Sequence, residues 1–171
     1  MSSGGKLSGN WGNALRTLEN LGDTVTEAAR LAMYQGGLII EKTIKGHFDA
    51  QDLGWEKLSA AYLEYKARKK LSTDILRATN TLYASITTTK TSDGKEVFVG
   101  VNRKAGGNGE DPVLVGAVME FGRSDGRKPK ARPWLEPSYK EAMPKVEERV
   151  QKQLDKALDE AARDGNKGGG L

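Results

Sequence analysis

Residues 119–137 read MEFGRSDGRKPKARPWLEP, and how this stretch is read decides how the rest of the chain is arranged. An apolar run from Val113 to Phe121 ends at Gly122, a residue free to take positive φ and turn the chain sharply. A polar loop follows, with five cations (Arg123, Arg127, Lys128, Lys130, Arg132) against one acid, Asp125. Pro133 and Pro137 then fix their own φ and push Arg132 and Glu136 toward extended geometry. Trp134 and Leu135 are the only large apolar residues between Phe121 and Tyr139. Phe121, Trp134 and Leu135 are therefore expected to anchor the loop, with Arg123, Arg127, Lys128 and Arg132 free to meet a partner or a second subunit. An ordinary connection between two packed elements remains the plain alternative.

Upstream, Val25, Ala28, Ala29, Ala32, Met33, Ile39, Ile40, Ile44 and Phe48 follow a 3.6-residue period. They predict one long helix over 24–50, capped by Asp23 or Thr24, with a separate short helix over 10–20 before Gly22. Gly36-Gly37 marks either a bend or a face where another backbone comes close. Trp55 and Leu58 are expected to pack on this helix. Ser59 caps a helix over 60–70, and Ser72-Thr73-Asp74 a further one over 75–84. Thr87–Thr91 and the alternating Lys95–Val101 flank Ser92-Asp93-Gly94, a hairpin signal, with Val97, Val99 and Val101 on the buried face. Asn102–Asp111 is a Gly-rich loop, and Pro112 opens a short helix to Met119. A last helix spans 135–163. Tyr139, Met143, Val146, Val150, Leu154, Leu158 and Ala161 form its apolar stripe. Glu136–Lys140, Glu141–Lys145, Glu148–Lys152 and Asp159–Arg163 form i,i+4 pairs, each contributing about 0.2–0.5 kcal/mol. Pro144 is expected to kink it.

The sum is one α+β domain over 11–164: a small antiparallel β-sheet packed with a long N-terminal helix and a long C-terminal helix. Gly/Ser-rich ends, 1–10 and 165–171, are expected to be flexible. The 171 residues, 37% hydrophobic and 29% charged, suffice for one core. Net charge is +4, with the cations bunched at Lys66–Lys70, expected to be solvated, and at 123–132. There is no cysteine, hence no disulfide and no thiolate metal site. His47, the single histidine, lies near the end of the long helix, where a satisfied or solvent-facing role is expected rather than a catalytic one; no His-based triad is recognised, and a zinc site built mainly on His and Cys is excluded. No phosphate-binding glycine loop or calcium loop has the required spacing, no cofactor is implied, and an enzyme is not expected. No apolar run is long enough for a signal peptide or a membrane span.

Two elements in order resemble one known family. Glu120-Phe121-Gly122, a variable loop, and Ala131-Arg132-Pro133-Trp134-Leu135 before a proline and a helix is similar to the neck or tail-completion proteins of long-tailed bacteriophages. Upstream, Gly54-Trp55-x-x-Leu58-Ser59 and the run Ile75–Ile86 resemble the matching segments of phage virion-morphogenesis proteins. Together they cover residues 54–162. Lys130 stands where that family has proline, and Asn80 where it commonly has glycine. The resemblance implies a structural virion protein at the phage neck, assembled in the host cytoplasm. It would form a homo-oligomeric ring, commonly a hexamer, between a tail tube protein and a head-completion or connector protein, with genomic DNA passing through the ring. The alternative reading is a nucleic-acid-binding module using the basic loop 123–132.

Overall fold

The computed structural model describes residues 11–105, 109, 111–125, 127 and 129–167, with side chains described between 18 and 163. Its axis is α1 (Trp11–Ala50), against which α5 (Leu135–Lys167) lies antiparallel. Gln35 meets Gln153, and His47 meets Glu141, so the pairing runs along much of both helices. Between them in sequence come α2 (Ala60–Arg68), α3 (Thr81–Ser85), the hairpin β1 (Ile86–Lys90) and β2 (Val97–Val101), a 3-10 turn at Arg103–Ala105, and α4 (Pro112–Phe121). The two strands are antiparallel, with Ile86 opposite Val101 and Lys90 opposite Val97. The α+β class, with a long helix at each end and a small antiparallel sheet, is as expected.

The glycine pair in α1 marks close approach. A Cβ at Gly36 would lie 2.8 Å from Val146 Cγ1 of α5. At Gly37 it would lie 2.6 Å from Thr88 Cγ2 and 2.8 Å from Val97 Cγ1 of the hairpin. Adjacent positions on one helix thus receive α5 and the sheet from two directions. Thr and Val are stiff at χ1, so the hairpin cannot easily yield. Gly37→Ala should therefore lower stability by about 1–2 kcal/mol, even though Ala gains about 1 kcal/mol of helix propensity. In the same helix Gly22 has nothing within 4 Å of a Cβ. Gly22→Ala should raise stability by about 0.5–1 kcal/mol. Urea melts of the two variants test this opposition of sign.

The core lies where α1 ends. Phe48 is surrounded by Trp55, Trp134 and Tyr83, with ring centroids 5.8, 5.7 and 6.1 Å away. The first two contacts are edge-to-face, the geometry that ring quadrupoles favour. Ile44, Leu82 and Ile86 complete the cluster.

Several local expectations are corrected. Residues 11–50 form one helix, with no break at Gly22. Asn10 and the side chains of Trp11 and Leu15 lie outside the described residues, and Leu18 is exposed. The helix expected over 75–84 shrinks to Thr81–Ser85, because Leu76 and Asn80 take φ of 63° and 62°. Gln51 competes for that backbone: its side chain accepts from Ile75 N (2.8 Å) and donates to Ile75 O (3.1 Å). α2 stops at Arg68, with Ser59 capping Tyr62 N as expected. α5 runs on to Lys167, so 165–167 belong to the helix, while 1–10 and 168–171 are outside the described residues. Pro144 sits inside α5 without ending it. On α5 the deepest residues are Ser138, Ala142 and Ala157, whereas Tyr139 and Leu158 of the expected stripe are about half exposed. Small side chains at the contact let the two long helices approach.

Candidate partner-docking site

The loop after α4 is closed at its base by backbone. Gly122 takes φ 78°, and a Cβ there would meet Ala131 N at 3.1 Å. Arg132 N donates to Met119 O at 2.6 Å. The two ends of the loop therefore abut, the geometry of a compact surface loop.

What fixes its far end is a carboxylate. Trp134 precedes the first turn of α5, and its side chain cannot accept a hydrogen bond to cap the helix. Glu120, near the end of α4, supplies the acceptors instead. Its Oε2 accepts from Trp134 N (2.7 Å) and Leu135 N (2.8 Å), and its Oε1 accepts from Glu136 N (3.1 Å). Pro137 has no N–H, so one buried carboxylate satisfies every free donor of that turn and sits on the positive end of the helix dipole. Trp134 is 2% exposed and donates from Nε1 to Gly116 O at 3.2 Å. Leu135 is half-buried against the core cluster.

Phe121 is not an anchor. It is 82% exposed, because the inward position at this end of α4 belongs to Glu120. The cations differ among themselves too. Arg123 pairs with Asp125 through two hydrogen bonds, 2.9 and 3.1 Å, while Arg127 N donates to the same carboxylate. The Arg123 bonds, then the Arg127 amide, hold the Asp125 carboxyl at about 2. Arg132 is a latch rather than a free contact: its Nη2 donates to Glu56 O at 3.2 Å. Lys130 reaches Glu56 Oε2 at 3.6 Å, and Trp55 Nε1 donates to Pro133 O at 2.8 Å. The segment around Trp55 and the Arg132–Leu135 element, far apart in sequence, are therefore joined. Lys128 and Gly126 lie outside the described residues.

Sequence reading missed three positions here. Glu120 is the only charged residue in α4, and an acid inside an apolar run is the signal that could have found it. Leu114, 63% exposed, shares with Ala117 and Phe121 the outward stripe of α4. Lys66, expected to be solvated, is 1% exposed: its Nζ donates to Asp74 O at 2.7 Å and lies 5.6 Å from the Tyr62 ring centroid. Burial pushes its ammonium below the usual lysine range; Asp74 opposes this and the Arg132 charge adds to it. Lys66 and Arg132 line a groove of about 780 Å³ on another face of α4, walled by Leu76, Leu82, Val115 and Met119.

A second, more polar cleft of about 630 Å³ lies between α1 and α5. His47 is buried there, with Nδ1 2.6 Å from Asp52 Oδ1. Its Nε2 is 3.1 Å from Glu141 Oε2 but out of line for a hydrogen bond. Among the described residues no group of three or more His, Asp or Glu could hold a metal ion, and no helix is long and apolar enough to cross a membrane. Comparison with protein-family models, with curated proteins and with solved structures gives no match.

Proposed function

We propose that this chain is a structural assembly protein that packs against copies of itself in a closed ring, as a neck or tail-completion component joining a phage tail to its head. The observation that carries this reading is the exposed apolar stripe of α4. A surface helix ordinarily turns its apolar stripe inward and its charges outward. Here the one charged residue, Glu120, points in, while Leu114, Ala117 and Phe121 point out. An exposed apolar stripe beside a charged loop marks an interaction surface. Phe98, Tyr62 and Tyr65 add further exposed rings on other elements. In a ring each copy offers two different faces, so this stripe meets a different patch on its neighbour. By the resemblance, the further partners are the tail tube protein and the head-completion or connector protein, with DNA passing through the lumen. The nucleic-acid alternative is the weaker, because Arg123, Lys130 and Arg132 are already engaged by groups of the chain itself.

Sedimentation and native mass spectrometry test the reading. The native chain should assemble, and Phe121→Asp should yield monomers with stability changed by no more than about 0.5 kcal/mol, as befits an exposed site. A native chain that stays monomeric at all concentrations, or a Phe121→Asp variant that still assembles, would sink it.

A further inference from the structure

The groove behind α4 contains a buried cation, Lys66, that makes no ion pair and whose charge Asp74 offsets only in part. An ammonium has three N–H donors. Lys66 directs one at Asp74 O and otherwise faces the Tyr62 ring. Among the described residues no carboxylate lies within ion-pair distance of Lys66 or Arg132. Arg132 Nε is buried and makes no hydrogen bond. Lys66 and Arg132 thus line one groove without a carboxylate partner, since the groove's own acid, Glu56, pairs with Lys130, and an anion between the two would relieve their repulsion.

We infer that this groove binds an organic anion with an apolar body: a carboxylate or phosphate monoester carrying a hydrocarbon chain. Its head sits at the Lys66–Arg132 pair, and its chain lies on Leu76, Leu82, Val115 and Met119. The volume falls in the range of small-molecule sites, and the lining has their character of apolar walls with a few convergent polar groups. The wall is also held in an unusual conformation. Leu76, a bulky residue, has φ 63°, a cost that persists where surrounding structure enforces it and that clusters at ligand sites. The clamp of Gln51 on Ile75 enforces it here. The site does not depend on ring formation, since Leu114 and Phe121 lie on a different face of α4.

Calorimetric titration of the full chain with decanoate, decyl phosphate and decylammonium tests the inference. At least one of the two anions should bind saturably, and the tighter one identifies the head group as carboxylate or phosphate. Decylammonium should bind at least tenfold more weakly. Lys66→Met and Ala78→Trp, the first removing the charge and the second filling the groove, should each weaken anion binding at least tenfold. The Phe121→Asp variant should bind as the native chain does, which separates this site from the assembly reading. No binding of either anion, equal affinity for decylammonium, or unchanged affinity in a folded Lys66→Met variant overturns the inference. If Lys66→Met does not fold, the anion–cation comparison and Ala78→Trp decide.

Discussion

Glu120→Ala is expected to destabilise the protein by about 3–4 kcal/mol. The loss comes from three donors at once, since Trp134 N, Leu135 N and Glu136 N all rest on this carboxylate. A buried donor left without a partner costs about 1–3 kcal/mol. Trp134 N is the deepest of the three, and water can reach the other two more easily, which keeps the total below the full sum. The favourable contact with the helix dipole, about 0.3–1 kcal/mol or more in a buried setting, goes as well. Glu120→Gln keeps one acceptor oxygen but turns an NH₂ toward the same donors, so it should fall between the two. Hydrogen exchange gives the specific readout: protection at Trp134, Leu135 and Glu136 should collapse before that of α1. If those amides stay protected in Glu120→Ala, the carboxylate is not what holds the start of α5.

Phe48→Ala should cost about 3–5 kcal/mol, the range for removing a buried aromatic ring. Phe48 has no exposed surface and contacts Trp55, Trp134 and Tyr83 together. Truncation leaves a cavity among two indoles that are themselves hydrogen-bonded to backbone, Trp55 to Pro133 O and Trp134 to Gly116 O. They cannot move in to fill it without losing those bonds. A domain of ordinary stability has only about 5–15 kcal/mol in total. The melting temperature should therefore fall by roughly 6–20 °C, read by calorimetry. Phe48→Leu, which keeps much of the volume, should lose clearly less.

The long helices were legible because Val25–Phe48 and the charged ladder after Leu135 repeat over many turns. Signals summed over that length outweigh single residues such as Gly22 and Pro144. The hairpin was legible from Ser92-Asp93-Gly94, and the opening of α4 from Pro112. The segment 75–84 misled because its periodicity is helical, while Gln51, 24 residues away, occupies the backbone groups of Ile75. No local pattern announces a competitor from that distance. The loop anchors were half legible. Trp134 is inside, as its flanking prolines suggest, but Phe121 follows an acid that takes the inward place. Hydrophobicity alone ranks Phe121 as buried and Glu120 as exposed, and the unfilled donors of α5 reverse that order. Lys66 hid among neighbours that are solvated, since Arg68, Lys69 and Lys70 share its charge but not its direction.

The glycine pair also sets a mechanical ratio. From Gly36 back to Trp11 the helix runs roughly 37 Å at about 1.5 Å per residue. Its fulcrum is clasped on one side by Val146 and on the other by Thr88 and Val97. A tilt of about one-tenth of a radian at that clasp carries the Trp11 end about 4 Å, the diameter of a methyl group. Adjustments too small to disturb the aromatic cluster thus become ångström-scale displacements at the far end of the helix.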